Sequence, residues 1–209
     1  LEPAEDFYRV EKKTRKTKND GAWMNFPSVS LFSSTANADL TKFFKRMGCE
    51  ASTNAYSITG STPLVDSLLS VRYALYSEYI PNTDLVNYIQ ESGGTYLYEN
   101  LYTLPLGFVL PYDLADNWQY QMENPAELQN DLCLLLGTDD VLVPVETEVS
   151  GSGCTFTADM AGEYYVYIQN KKVKNVKASL PSGEKNFSNV DRGYLLEMGN
   201  LSEGSRITL

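Results

Sequence analysis

Apolar and polar positions alternate over Phe7-Tyr8-Arg9-Val10-Glu11, the period-two pattern of a half-buried strand. A Gly-Ala-Trp-Met-Asn-Phe-Pro stretch at 21–27 reads as a loop and leads into an apolar-rich Val29 to Phe32. The pattern then becomes helical. Leu40, Phe43, Phe44 and Met47 fall at i, i+3, i+4 and i+7 behind Asn37-Ala38-Asp39, and Gly48 suits the C-terminal cap. Ser61-Thr62-Pro63 opens a second helix carrying Leu64, Leu68 and Leu69. Val71–Tyr76, Tyr96–Asn100 and Phe108–Leu110 read as strands, and Gly93-Gly94 as a turn. Asn124-Pro125 caps a third helix running through Leu128, Leu132 and Leu135 to Gly137, with Pro at its first position.

After Gly137 the helical period disappears. Val141–Val143, Cys154–Thr157, Glu163–Ile168, Val173–Leu180, Tyr194–Met198 and Ile207–Leu209 are short strand-like runs punctuated by Gly151, Gly153, Gly162, Pro181-Ser182-Gly183, Gly199 and Gly204. The pattern predicts an α+β chain. A mixed α/β unit over 1–140 precedes an antiparallel β-sandwich over 141–209. Leu1 reads as a cut into a longer protein, and the sandwich stops in mid-pattern at Arg206–Leu209.

Composition changes this picture little. With 43% hydrophobic and 21% charged residues, 209 residues can bury a real core. The longest apolar runs, such as Leu104–Leu110, fall far short of the roughly 20 residues that cross a bilayer. Charge is more informative. Residues 1–48 carry +3 and residues 161–209 +2, whereas residues 49–160 hold Arg72 against 16 acids, a net −15. That acidic middle argues against a nucleic-acid surface there, because phosphates would be repelled. Lys12, Lys13, Arg15, Lys16 and Lys18 form the one basic cluster, either a solvated strand and loop or a contact for anionic headgroups or a polyanionic wall polymer.

Candidate chemistry is sparse. With no histidine, neither a Ser-His-Asp nor a Cys-His arrangement exists, and no nucleotide-binding glycine loop is present. Cys49, Cys133 and Cys154 form no CxxC pair and read as buried single thiols, with one bridge left open. The sequence therefore implies no catalytic residue, no metal site and no cofactor. Aromatic residues, 12% of the chain with 15 Tyr, suggest a binding surface instead. In Asp116-Asn117-Trp118-Gln119-Tyr120, flat rings stand beside planar polar groups, the combination that holds a sugar's apolar face and its hydroxyls. Trp118 and Tyr120 are thus candidate saccharide contacts, with Asn117 and Asp116 as polar partners; the alternative is Trp118 as a buried anchor.

Several stretches, in order along the chain, resemble the YfhO family of polytopic bacterial membrane proteins. They are Asp6–Glu11, Asn19-Asp20, Leu31-Phe32-Ser33-Ser34 with Asn37, the helix ending at Gly48, Gly60–Pro63 with Asp66–Tyr73, Tyr98-Glu99-Asn100 with Leu104–Phe108, and Asn124-Pro125 with Leu128-Gln129-Asn130. Leu196–Leu201 continues the series more weakly. The resemblance implies a soluble region on the extracytoplasmic face of the cell membrane, attached to a transmembrane region of the same polypeptide. The family is similar to membrane glycosyltransferases that use polyprenyl-phosphate sugars, with members implicated in decorating lipoteichoic acid of Gram-positive bacteria. A cell-wall glycopolymer or a lipid-linked sugar is then an implied partner. Phe32, Ser33, Ser34 and Asn37 form the family-like motif most open to a functional role, against the simpler reading of a turn and helix cap. Three readings follow: an accessory domain of a membrane glycosyltransferase, a non-catalytic carbohydrate-binding module, or a structural ectodomain for protein contacts.

Overall fold

The computed structural model describes residues 7–151 and 153–209. Asp6 and Leu1, both used in the sequence reading, lie outside the described residues. The chain is α+β, with several antiparallel sheets.

In the first part, β1 (Arg9–Lys12) leads to a short helix α1 (Asp20–Met24), where the sequence pattern had indicated a loop. Next come β2 (Leu31–Phe32) and α2 (Ala38–Arg46). Asn37 starts α2 as expected, its side-chain oxygen accepting from the backbone N–H groups of Asp39 and Leu40 at 2.8 and 3.1 Å. The helix stops at Gly48, whose φ of +80° turns the chain back. Two-residue strands β3 (Ala51–Ser52) and β4 (Ala55–Tyr56) join β2 in a small sheet. Thr62 caps α3 (Pro63–Leu68), with proline in the first turn. Strands β5 (Val71–Tyr76), β6 (Val86–Ser92) and β7 (Thr95–Asn100) follow, β6 and β7 forming a hairpin across Gly93-Gly94. The sheet order is β1-β5-β7-β6, with β1 parallel to β5 and the other pairs antiparallel. Short α4 (Leu114–Asn117) and α5 (Pro125–Leu135) complete this part. Phe44, Met47, Tyr56, Val65, Leu128 and Leu132 form its core beneath α2, α3 and α5.

The second part is a sandwich. Its strands are β8 (Thr147–Ser150), β9 (Gly153–Thr157), β10 (Gly162–Val166), β11 (Asn175–Leu180), β12 (Gly183–Ser188), β13 (Leu196–Leu201) and β14 (Arg206–Thr208). A five-stranded sheet, β12-β11-β14-β9-β8, and the β10-β13 pair share one core of Phe156, Tyr164, Ala178, Leu196, Met198 and Ile207. Among the described residues, the helical structure after Leu135 is a single 3-10 turn, Val190–Arg192.

Two expected strands do not form. Phe108–Leu110 is irregular and exposed, and Val141–Val143 is likewise unpaired. At the second of these, the Asn130 side chain takes the place of a strand. Its Nδ2 donates to the Leu142 carbonyl at 2.7 Å and its Oδ1 accepts from the Leu142 N–H at 3.1 Å. All three cysteines are free thiols, Cys49 and Cys133 buried and Cys154 partly so.

Candidate functional site

A cluster of ionisable groups lies where the two parts meet. The basic segment Lys12–Lys18 arches across it, with Lys16 exposed and Lys12, Lys13, Arg15 and Lys18 half-buried against partners. Asp20 staples the arch: its carboxylate accepts from the Lys16 and Thr17 backbone N–H groups, both at 2.9 Å, and from the Thr17 hydroxyl. These donors, with Lys12 at 3.4 Å, overcome the opposing effect of burial and lower its pKa from 3.8 to about 2. Arg15 donates to the Thr59 hydroxyl. Lys18 reaches Glu50 at 2.6 Å, and Arg192 of the sandwich reaches the other oxygen of Glu50 at 3.0 Å.

Lys13 lies deepest. Its ammonium is 3.4 Å from Asp66 Oδ2, 3.4 Å from Ser61 Oγ and 4.0 Å from Glu197 Oε1, so it joins carboxylates from both parts. Burial acts to lower its pKa, but Asp66, Glu197, Tyr76 and Glu163 outweigh this and hold it well above the usual lysine value. It is therefore a fixed cation, not a nucleophilic amine. Nearby Cys49 is pushed the same way, first by burial and then by Asp66 and Glu197, so its thiol stays protonated and inert. Burial also raises Glu163, against the 2.9 Å hydrogen bond donated by Tyr165, and drives Tyr76 up to about 12. Among the described residues, buried Asp66 Oδ1 has no hydrogen-bond partner. Backbone contacts complete the seam: Gly60 N–H donates to Glu197 at 3.0 Å and Leu195 N–H to the Gly48 carbonyl at 2.8 Å. Gly48 and Gly60 suit this close approach, since a Cβ on Gly60 would lie 2.6 Å from the Leu195 carbonyl oxygen. Chemically this is a charge-compensated clasp. The basic cluster Lys12–Lys18 is visible in the sequence, but apart from Asp20 the partners outside it, such as Glu50, Thr59, Asp66 and Glu197, lie 32 or more positions away, so no local pattern joins them.

The candidate saccharide segment sits elsewhere. Trp118 is half-buried against the first core, its indole N–H donating to the Leu128 carbonyl at 3.2 Å, and Tyr120 packs on it with ring centroids 5.0 Å apart. Asp116 and Asn117 are exposed, and Asn117 donates to Asp113 at 2.9 Å. The segment thus presents two rings in tilted contact, 57° between their planes, and two solvent-facing polar groups, with the indole donor already engaged.

The Phe32, Ser33, Ser34 and Asn37 group is a set of backbone fasteners around one exposed ring. Asn19 pairs with Phe32 as a strand would, donating to its carbonyl at 3.0 Å and accepting from its N–H at 2.8 Å. Ser33 accepts from Thr35 N–H at 3.2 Å, Ser34 is exposed, and Asn37 caps α2. The Phe32 ring faces solvent, as does Trp23. Glu11, fully buried, does similar work: it accepts from Ser28 Oγ at 2.8 Å, Val29 N–H, Ser30 N–H at 2.9 Å and Ser30 Oγ at 3.0 Å. Gln129 joins the Thr62 hydroxyl to the Met47 carbonyl.

These fasteners lie in the stretches that resemble a known family, and comparison agrees. A family model described as bacterial membrane protein YfhO matches residues 2–142. The chain belongs to this family of bacterial membrane proteins. No curated protein and no solved structure matches the chain. Among the described residues, no helix is long and apolar enough to cross a membrane.

Proposed function

We propose that this chain is an extracytoplasmic portion of a membrane glycosyltransferase-like protein, accessory to glycosylation of a cell-surface polymer such as lipoteichoic acid. The observation that carries this reading is membership of a bacterial membrane protein family over residues 2–142. An accessory role is supported by the seam, where Lys13 is held as a cation between carboxylates and Cys49 as a neutral thiol, so neither is poised to attack. In this reading the chain works beside the transmembrane region of the same polypeptide. Trp118 and Tyr120, with Asp116 and Asn117, would meet the glycopolymer or the lipid-linked sugar.

The test is made in a Gram-positive host carrying the full-length gene. Excising the segment that encodes this chain should abolish sugar decoration of lipoteichoic acid, while the purified chain with polyprenyl-phosphate sugars transfers nothing. Unchanged decoration after excision overturns the reading.

A second reading, a structural ectodomain for protein contacts, is favoured by one observation. The Trp118 indole N–H is spent on Leu128 instead of being free for a ligand. No glycan binding by the purified chain, with a lowered melting temperature for Trp118→Ala, would select it.

A further inference from the structure

The longest exposed apolar stretch is not in either core. From Leu101 to Tyr112 there are twelve consecutive residues without a charge, within a segment that is otherwise strongly acidic. Leu101, Tyr102, Leu106, Val109, Leu110 and Tyr112 all face solvent, Val109 at 98% and Tyr112 at 101% relative exposure. Folded chains seldom leave so many large apolar side chains together in water without a surface that covers them.

The base of this loop is fixed. Leu101 N–H donates to the Leu85 carbonyl at 3.0 Å, and Leu104 N–H to the Ser67 carbonyl at 3.3 Å. Ser67 Oγ donates to the Tyr102 carbonyl, and Asn100 Nδ2 to the Val71 carbonyl at 3.2 Å. Pro105 and Pro111 stiffen the span between. The apolar side chains are therefore held outward by a built base.

We propose that the Leu101–Tyr112 loop is a membrane-interface anchor that dips into the headgroup and upper acyl region of a lipid bilayer. The family to which the chain belongs places a bilayer next to it. Three features choose lipid over a protein partner. Packing against transmembrane helices favours small residues that let backbones approach, whereas this loop presents Leu, Phe, Val and Tyr. Tyr102 and Tyr112 bracket the apolar stretch, as amphipathic rings do at a membrane surface. The backbone over 105–110 is not in a helix or strand, so it cannot enter the hydrocarbon interior and is suited to the wet interface. The acids that flank the loop, Glu99, Asp113 and Asp116, point to a neutral surface over a strongly anionic one. This inference rests on the family membership and not on the glycosylation reading. Lost decoration in the excision experiment with no vesicle binding here would remove this inference alone.

The experiment is co-sedimentation of the 209-residue chain with phosphatidylcholine vesicles, and with vesicles that also contain phosphatidylglycerol. The chain should sediment with phosphatidylcholine. The double variant Leu106→Asp/Val109→Asp should lower partitioning at least ~10-fold at an unchanged melting temperature. In a second variant, Val109→Trp, the added emission should shift to the blue on vesicle addition. Equal sedimentation of wild type and double variant overturns the proposal, as does a Val109→Trp emission that does not move. A concentration-dependent dimer that the double variant dissolves, without vesicle binding, also overturns it and assigns the loop to a second copy.

Discussion

The two halves of the molecule are held together by different means. Every buried polar or charged residue among those described lies in the first part: Glu11, Asp20, Ser30, Ser57, Ser61, Thr62, Asp66, Ser67, Ser70 and Gln129. The sandwich buries Leu, Ile, Met, Ala, Val, Phe and Tyr. In the first part many elements are too short to hold themselves, so side chains stand in for missing strands and turns. In the sandwich the ladder satisfies the backbone and burial supplies the rest. The comparison teaches that a buried carboxylate or amide here specifies geometry, whereas a buried isoleucine adds stability with little say in connection.

The largest expected effect is at Glu11. Glu11→Ala leaves the Val29 and Ser30 N–H groups buried without an acceptor and should cost ~3–5 kcal/mol in denaturant unfolding. Glu11→Gln keeps one acceptor oxygen and should cost less; equal losses would show that volume, not hydrogen bonding, matters there. Ile207→Ala, in the sandwich core, should cost ~2–4 kcal/mol with no dependence on pH. Asp20→Asn comes next at about 2 kcal/mol near neutrality, and here pH breaks the symmetry. The folded Asp20 carboxyl titrates near 2, below its ordinary 3.8, so its contribution is complete above pH 3.8 and is lost as pH falls through 2. Wild type and Asp20→Asn should therefore converge in melting temperature as pH is lowered from 5 towards 2, while Ile207→Ala keeps its gap. Asn37→Ala should cost about 1 kcal/mol through the lost cap of α2. Asp39→Asn, which breaks an exposed pair with Lys42, should change stability by less than ~0.5 kcal/mol.

Much of the fold is legible in the sequence because its signals are local. Asn37, Thr62-Pro63 and Asn124-Pro125 announce the starts of α2, α3 and α5 by residue type and spacing alone. Three of the unannounced strands share a physical reason. β6, β8 and β12 are edge strands, and β8 is exposed along its whole length. A strand such as β8 that buries neither face carries no alternation to read, and β6 and β12 bury theirs only partly. The converse error has the same root: Phe108–Leu110 is apolar without being internal, so a rule that equates apolar with buried assigns it to a sheet. The seam was illegible for another reason. Lys13, Asp66 and Glu197 meet only through tertiary structure, and nothing in their neighbourhoods along the chain marks them as partners.

Strand β14 gives the sandwich a history as well as a shape. The β8-β9 and β11-β12 pairs are local hairpins that can close as soon as they are synthesised, yet the sheet order places β14 between β9 and β11. Until Arg206–Thr208 arrives, the five-stranded sheet is two separate pieces with open edges, and Ile207 is missing from the core. Closure of this five-stranded sheet is therefore gated by β14. During synthesis the two hairpins must wait with exposed edges for three residues to emerge, the interval in which such a chain is most open to a chaperone or to pairing with a neighbour.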